Sequence, residues 1–282
     1  MSQKVITYVP DNSIKKGLLQ MFKEVYFELA YNKWLTFQLF KRSFLSMGKQ
    51  SFLGLAWPLL TPLVSIGTFI VLNNAKIFSI GDIDVPYPVY ALIGMSLWQL
   101  FANGMAQSMQ SLSMAGAMLT KINFSKKSLI IASTGKVFLS FVLQTTLLIV
   151  LIIAYQVKIY PHALLILPVV IVPMMLLTIG IGSLLSIINS VVRDISYAIP
   201  LMMTFFMFLT PVLYAKPQQG ILVTITKYNP MYYYIDTAKD LAFKGTIDTG
   251  LGLTVTVIFS IVVFYLCTIF FHLTETRITE RV

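Results

Sequence analysis

The chain has 282 residues, 57% of them hydrophobic and only 11% charged, with a formal net charge of +10. A soluble domain carries about a quarter charged residues to cover its core; here the mean hydropathy is +0.79, so lipid has to act as solvent for much of the surface. That excludes a free-standing soluble enzyme. Because the basic residues fall between apolar runs, their excess reads as cytoplasmic ends near anionic lipid and not as a nucleic-acid surface.

In chain order, residues 1–53 are polar and mixed, and no short apolar stretch with a small-residue cleavage site precedes the first span. Between Ile14 and Phe40 apolar residues recur at helical spacing (Leu18, Leu19, Phe22, Val25, Tyr26, Leu29), while Lys15, Lys16, Lys23, Glu24 and Glu28 take other faces. This predicts an amphipathic helix lying on a membrane surface, packed on a partner protein, or both. Six spans of roughly twenty residues follow at about 55–75, 87–109, 129–156, 163–189, 196–215 and 251–272. The first contains Pro58 and Pro62, and the fourth contains Gly180 and Gly182, which offer a close helix approach. The one cysteine, Cys267, sits in the last apolar run and allows neither an intrachain disulfide nor a zinc site.

Orientation follows from the basic residues. With the N-terminus in the cytoplasm, 15 of the 21 lysines and arginines, Lys136 among them, fall inside and 6, Lys239 among them, fall outside, and Asp82, Asp84, Asp236, Asp240 and Asp248 are also outside. An even number of spans returns the C-terminus to the cytoplasm. Residues 216–250 are long for a connection and hold Tyr228, Tyr232, Tyr233, Tyr234 and Phe243, yet no run long enough to cross. They read either as two short helices, about 218–227 and 231–243, broken at Asn229-Pro230 and dipping back into the membrane, or as a tyrosine-rich interfacial belt, which composition alone favours. The expected organisation is thus a cytoplasmic segment 1–53, a transmembrane domain 54–272 and a cytoplasmic tail 273–282.

Catalytic machinery is not evident. The only histidines, His162 and His272, fall at opposite expected faces, no Gly-x-x-x-x-Gly-Lys phosphate loop occurs, and no metal-ligand cluster stands out. The acidic residues lie in loops and at membrane edges. A proton- or sodium-coupled transporter needs an ionisable group within the bilayer, so energy for uphill transport is expected from another polypeptide.

One ordered set of segments carries a resemblance: Lys41-Arg42-Ser43-Phe44, Ser51 to Pro58 with Pro62-Leu63, Tyr90-Ala91-Leu92-Ile93-Gly94 with Trp98 and Phe101, Leu119 to Phe124, Arg193-Asp194-Ile195 with Pro200 and Thr210-Pro211-Val212-Leu213-Tyr214, and Tyr228-Asn229-Pro230-Met231. Together, over roughly residues 35–272, they resemble the type-2 ABC exporter permeases, and among these the branch that exports O-antigen, capsule and teichoic acid. The chain departs from that pattern at Ser125-Lys126, where the family often has a proline and an arginine.

The resemblance implies an all-α integral membrane fold: six transmembrane helices, an N-terminal amphipathic interface helix and short re-entrant helices before the last span. It implies a multi-pass half-transporter of the inner membrane, with both termini cytoplasmic, pairing with a second copy of itself and with two copies of an ABC ATPase. ATP and Mg would then sit on the partner, with no cofactor on this chain and no nucleic-acid partner. The expected cargo is a lipid-linked glycan, O-antigen first, with capsule, teichoic acid or a drug as alternatives. A membrane-embedded glycan-modifying enzyme would need intramembrane acid or base residues. The loop at 111–127, through Met118, Leu119, Lys121, Ile122 and Phe124, is expected to couple to the ATPase. Trp98, Phe101, Tyr232, Tyr233 and Tyr234 are candidates for the channel or its gate, since aromatic rings stack on sugar faces without holding them; for Trp98 and Phe101 ordinary helix or lipid packing is preferred. Lys41 and Arg42 are candidates for the diphosphate of a lipid carrier, against ordinary positive-inside anchoring, which is preferred.

Overall fold

The computed structural model describes residues 17–46, 52–77, 80, 81, 83–115 and 125–278. Among these residues all regular structure is helical: α1 (Leu18–Tyr31), α2 (Lys33–Ser46), a short 3-10 turn (Gly54–Ala56), α3 (Trp57–Asn74), α4 (Tyr87–Met114), α5 (Lys126–Ala154), α6 (Pro161–Val191), α7 (Ile195–Leu209), α8 (Ile221–Tyr228), α9 (Pro230–Phe243) and α10 (Gly250–Ile278). Prolines open α3, α4, α6 and α9 at the first or second position, where the missing N–H would have had no helical partner anyway.

The amphipathic segment is two helices and not one, because the chain breaks at Asn32. The Asn32 side-chain amide donates to Glu28 O at 2.9 Å, beside its own backbone N–H at 3.0 Å. Local bonding of this kind competes with helix continuation. The apolar stripe of α1 is used within the chain: Met21 and Val25 are buried, and the Phe22 ring lies 5.1 Å from that of Tyr265 on α10.

Among the described residues four helical stretches are long and apolar enough to cross a membrane: Trp57–Asn74, Lys126–Ala154, Leu165–Val191 and Gly250–Glu275. The two other expected spans, 87–109 and 196–215, fall on α4 and α7, which are not among these four. Helix α4 is long, 28 residues, but more polar, because it is the central column. It packs on α3, α5, α6, α7 and α9 and buries a nearly continuous surface from Val89 to Leu112, so other helices cover most of it. Helix α7 stops at Leu209, short of the expected 215, because Pro211 follows. Thr210 is already extended, at φ −105° and ψ 132°, as the residue before a proline prefers. The Gly180/Gly182 pair of α6 serves two neighbours: a Cβ at Gly180 would come 2.9 Å from Phe264 Cα of α10, and one at Gly182 would come 2.4 Å from Ser108 Cβ of α4. Missing side chains thus seat α6 between its two main partners.

Pro62 removes a donor inside α3 and frees the carbonyl of Pro58, four residues back. The side chain of Gln144 on α5 supplies the replacement, donating from Nε2 to Pro58 O at 2.9 Å. Thus a polar side chain inside the bundle repairs the backbone of its neighbour.

Candidate functional site

Two clusters of side-chain chemistry stand at opposite ends of the bundle. At the first, α7 gives way to the non-helical stretch 210–215, whose carbonyls lack helical donors. Side chains from two helices supply them. Lys239 Nζ of α9 donates to Pro211 O and to Val212 O, each at 2.9 Å. Tyr87 and Tyr90 of α4 donate through their hydroxyls to Leu213 O at 2.9 Å and to Tyr214 O at 3.2 Å. Four consecutive carbonyls are satisfied without water, the condition for irregular backbone at membrane depth. Lys239 is 4% exposed, and its ammonium lies 3.8 Å from the Tyr90 ring centroid, a cation–π contact. Gly94 leaves no room here for a side chain, since a Cβ would meet Val212 O at 2.2 Å.

Helices α8 and α9 form the short pair expected from the sequence, broken at Asn229. Asn229 Oδ1 caps α9 by accepting from Met231 N at 2.9 Å, and its Nδ2 donates to Thr210 Oγ1 at 2.7 Å. Asn229→Ala removes a cap and a tie to the end of α7. It is expected to destabilise the protein by about 1–2 kcal/mol, read as a lower midpoint in a thermal-shift assay in detergent; an unchanged midpoint would mean that the pair is held elsewhere. Beyond α9, Lys244 bridges Asp240 at 2.9 Å and Asp248 at 2.7 Å. Hydrogen bonding to these carboxylates raises the Lys244 pKa, and the same bridge lowers that of Asp248.

At the opposite end an ion cluster joins three elements. Lys127, at the start of α5, is 5% exposed and lies 2.8 Å from Glu28 of α1 and in closer contact with Glu275 of α10. Ser125 Oγ donates to Glu28 Oε1 at 2.6 Å, and Lys126 Nζ donates to the Glu275 backbone carbonyl. His272 adds contacts of 3.0 Å to Glu275 and 3.7 Å to Glu24. Glu28, His272 and Glu275 place potential metal-ligand atoms within 4.8 Å of one another, but the Lys127 ammonium already sits against both carboxylates.

The sequence matches the ABC-2 type transporter family over residues 35–243, more than half of the chain. This chain belongs to the ABC-2 type transporter family. It is similar to curated O-antigen export system permease proteins named RfbA. The one from Myxococcus xanthus is 27% identical over 188 residues, 66% of this chain and 70% of that protein. Two from Klebsiella pneumoniae are 24% and 22% identical, over 73% and 71% of this chain and 83% and 76% of their own lengths. Family membership makes the chain a membrane-embedded transporter subunit, in accord with its four long apolar helices.

The residues singled out from sequence fall at varied depths in this ABC-2 permease. Trp98 and Phe101 belong to the core around α4, 4% and 7% exposed, with ring centroids 6.0 Å apart. Tyr232 and Tyr234 also turn inward: Lys216 Nζ lies over the Tyr232 ring, and the fully buried Tyr234 hydroxyl pairs with Ser260 Oγ of α10 at 2.7 Å. Tyr233 bonds Lys227 O at 2.8 Å. Lys41 and Arg42 are exposed near the end of α2, beside Gln38, Leu45 and Ser46. Met118, Leu119, Lys121, Ile122 and Phe124 lie outside the described residues, and Ser125, the next residue, is already part of the ion cluster. Two lysines lie elsewhere than their place in the sequence suggests. Lys239, counted among the outer loop lysines, is the buried donor of the 210–215 stretch; Lys136, counted as cytoplasmic, lies well inside α5. Lys136 thus stands inside a stretch long and apolar enough to cross a membrane, where it lines the cavity between α3, α4 and α5.

Proposed function

We propose that this chain is the membrane-spanning subunit of an ATP-driven exporter that carries a lipid-linked cell-surface polysaccharide, O-antigen first among the candidates, across the inner membrane. Its similarity to O-antigen export permeases over two thirds or more of each chain carries this reading. In it α3, α4, α5, α6, α7 and α10 are the six spans, with both termini cytoplasmic; α8 and α9 are re-entrant at the outer face. The segment before α3 is a cytoplasmic interface domain, and residues beyond 272 form a cytoplasmic tail. Two copies form the channel and two copies of a separate ATPase, holding ATP and Mg, drive it.

Each cluster then has a task. The satisfied carbonyls of 210–215 and the inward tyrosines of α9 make the outer end a packed closure that moves as a unit, and Tyr233 is the ring left nearest the passing glycan. The ion cluster ties α1 and α10 to Ser125–Lys127, directly after the loop assigned to the ATPase contact, so a push on Leu119 and Ile122 reaches three helices together. Lys41 and Arg42 stand at the cytoplasmic side for the carrier diphosphate.

Disrupting the gene is expected to abolish surface polysaccharide while lipid-linked glycan accumulates inside, and supplying this chain is expected to restore export; normal surface glycan in the disrupted strain would overturn the reading. The double variant Leu119→Asp with Ile122→Asp puts charge into a desolvated contact, at several kcal/mol. The permease is expected to insert and pair but to lose the ATPase in a pull-down and stop exporting. Retained binding and export would remove this loop from the mechanism.

A further inference from the structure

Helix α4 carries amides at Gln99, Asn103 and Gln107, four residues apart and therefore in a row along one face. The row lines a cavity of about 330 Å³ between α3, α4 and α5, within the size range of small-molecule sites. Lys136, Ser140 and Gln144 close it from α5, and Trp57 and Thr61 stand at its α3 side. Polar side chains inside membrane helices face the bundle or a water-filled cavity, because facing lipid is costly. Asn103 nonetheless opens to the outside of the protomer, so this face meets something polar.

Part of the polarity has a structural task. Gln144 Nε2 serves the freed carbonyl of Pro58 and also donates to Gln99 Oε1 at 2.7 Å. The remainder has none. Gln144 is 2% exposed, yet its Oε1 is buried without a partner among the described residues. A buried acceptor left open is costly unless a ligand or water completes it. The side chains of Asn103, Gln107 and Lys136 form no hydrogen bond to another described residue either. Amides that both donate and accept, an ammonium with three donors and an indole face beside them are complementary to the hydroxyls and apolar face of a sugar ring.

We infer that the cleft between α3, α4 and α5 is a sugar-binding subsite on the permease, with Gln99, Asn103, Gln107, Lys136 and Gln144 meeting glycan hydroxyls and Trp57 offering its ring face. This rests on the polysaccharide-export reading and assigns that substrate a place within the membrane. The amides serve any hydroxyl-rich ring, so the subsite tolerates successive sugars passing through.

The test places a photo-crosslinking p-benzoylphenylalanine at Asn103, in the permease expressed with its ATPase, in cells that make the glycan and in cells blocked in its synthesis. Val255 of α10, exposed on the apolar surface, is the control position; Thr61, across the mouth of the cleft, replaces Asn103 if that variant fails to assemble. A glycan-bearing adduct at the cleft, absent at Val255 and in blocked cells, is expected. An adduct to lipid alone in both strains overturns the subsite, and so does an adduct to a second copy of the chain, which would make the amide row a subunit interface. Gln107→Leu and Lys136→Met are each expected to cut the export rate by about tenfold in complexes that still assemble; unchanged rates also overturn it. If polysaccharide reaches the surface normally without the gene, the export reading fails first, and the two failures are told apart.

Discussion

Lys239→Met is expected to cost the folded protein about 3 kcal/mol, the sum of two hydrogen bonds from a charged donor. The ammonium serves Pro211 O and Val212 O together and rests on the Tyr90 ring, and methionine fills a similar volume while donating nothing. Both carbonyls would be stranded in a place that excludes water. Fluorescence-detected thermal unfolding in detergent measures the loss. Lys216→Met is the control: its bridge to Asp236 is 3.0 Å long, but the lysine side chain is 50% exposed, so the effect should stay below about 1 kcal/mol. Equal midpoints for the two variants would show that 210–215 does not depend on Lys239.

Lys127→Met is expected to release α1 from the bundle. It leaves Glu28 and Glu275 facing each other without the buried cation between them, and breaking one side of such a cluster costs roughly 3–5 kcal/mol. Lys33, exposed just after the break at Asn32, offers a tryptic site whose cleavage rate reports the detachment. Cleavage in the variant should rise several-fold over the parent. Adding Glu275→Met should recover part of the protection, because the stranded charge and not the lost attraction carries most of the penalty. A cleavage rate unmoved by Lys127→Met would mean that the contacts of Met21, Phe22 and Val25 hold α1 alone.

Much of the architecture was legible because apolar run length and proline act locally. Four of the six expected spans, the Asn229-Pro230 break and the glycines of α6 all follow from rules that reach a few residues along the chain. What was illegible depends on neighbours distant in sequence. Lys239 reads as one more outer lysine until the carbonyls of 211 and 212, about thirty residues earlier, are set against it. The 99–103–107 amide row has a visible spacing, but polar residues on one helix acquire meaning only when Lys136 and Gln144 stand opposite. Helix α4 shows the same limit from the other side: the sequence offers 87–109 as one more span, and only the structure shows a helix buried at the centre of the bundle. The inward turn of Tyr232 and Tyr234 was likewise beyond composition, since a tyrosine run is equally suited to an interface or a core.

Helix α7 has a consequence for the bilayer itself. Its 15 residues bury none of their side chains in the protomer, and at 1.5 Å per residue they extend about 22 Å, against a hydrocarbon layer of about 30 Å. Tyr197, Leu201, Phe205 and Phe208 face outward along this short length. Where α7 is the proposed span, lipid meeting that face thins, because the stretch 210–215 that continues it is bound to α4 and α9 inside the protein and the helix cannot lengthen to match. Hydrophobic mismatch of this sign is relieved by shorter acyl chains or by association with another protein surface. In the proposed topology the membrane beside α7 is compressed, and the activity of the reconstituted transporter should depend on the acyl-chain length of the lipid supplied.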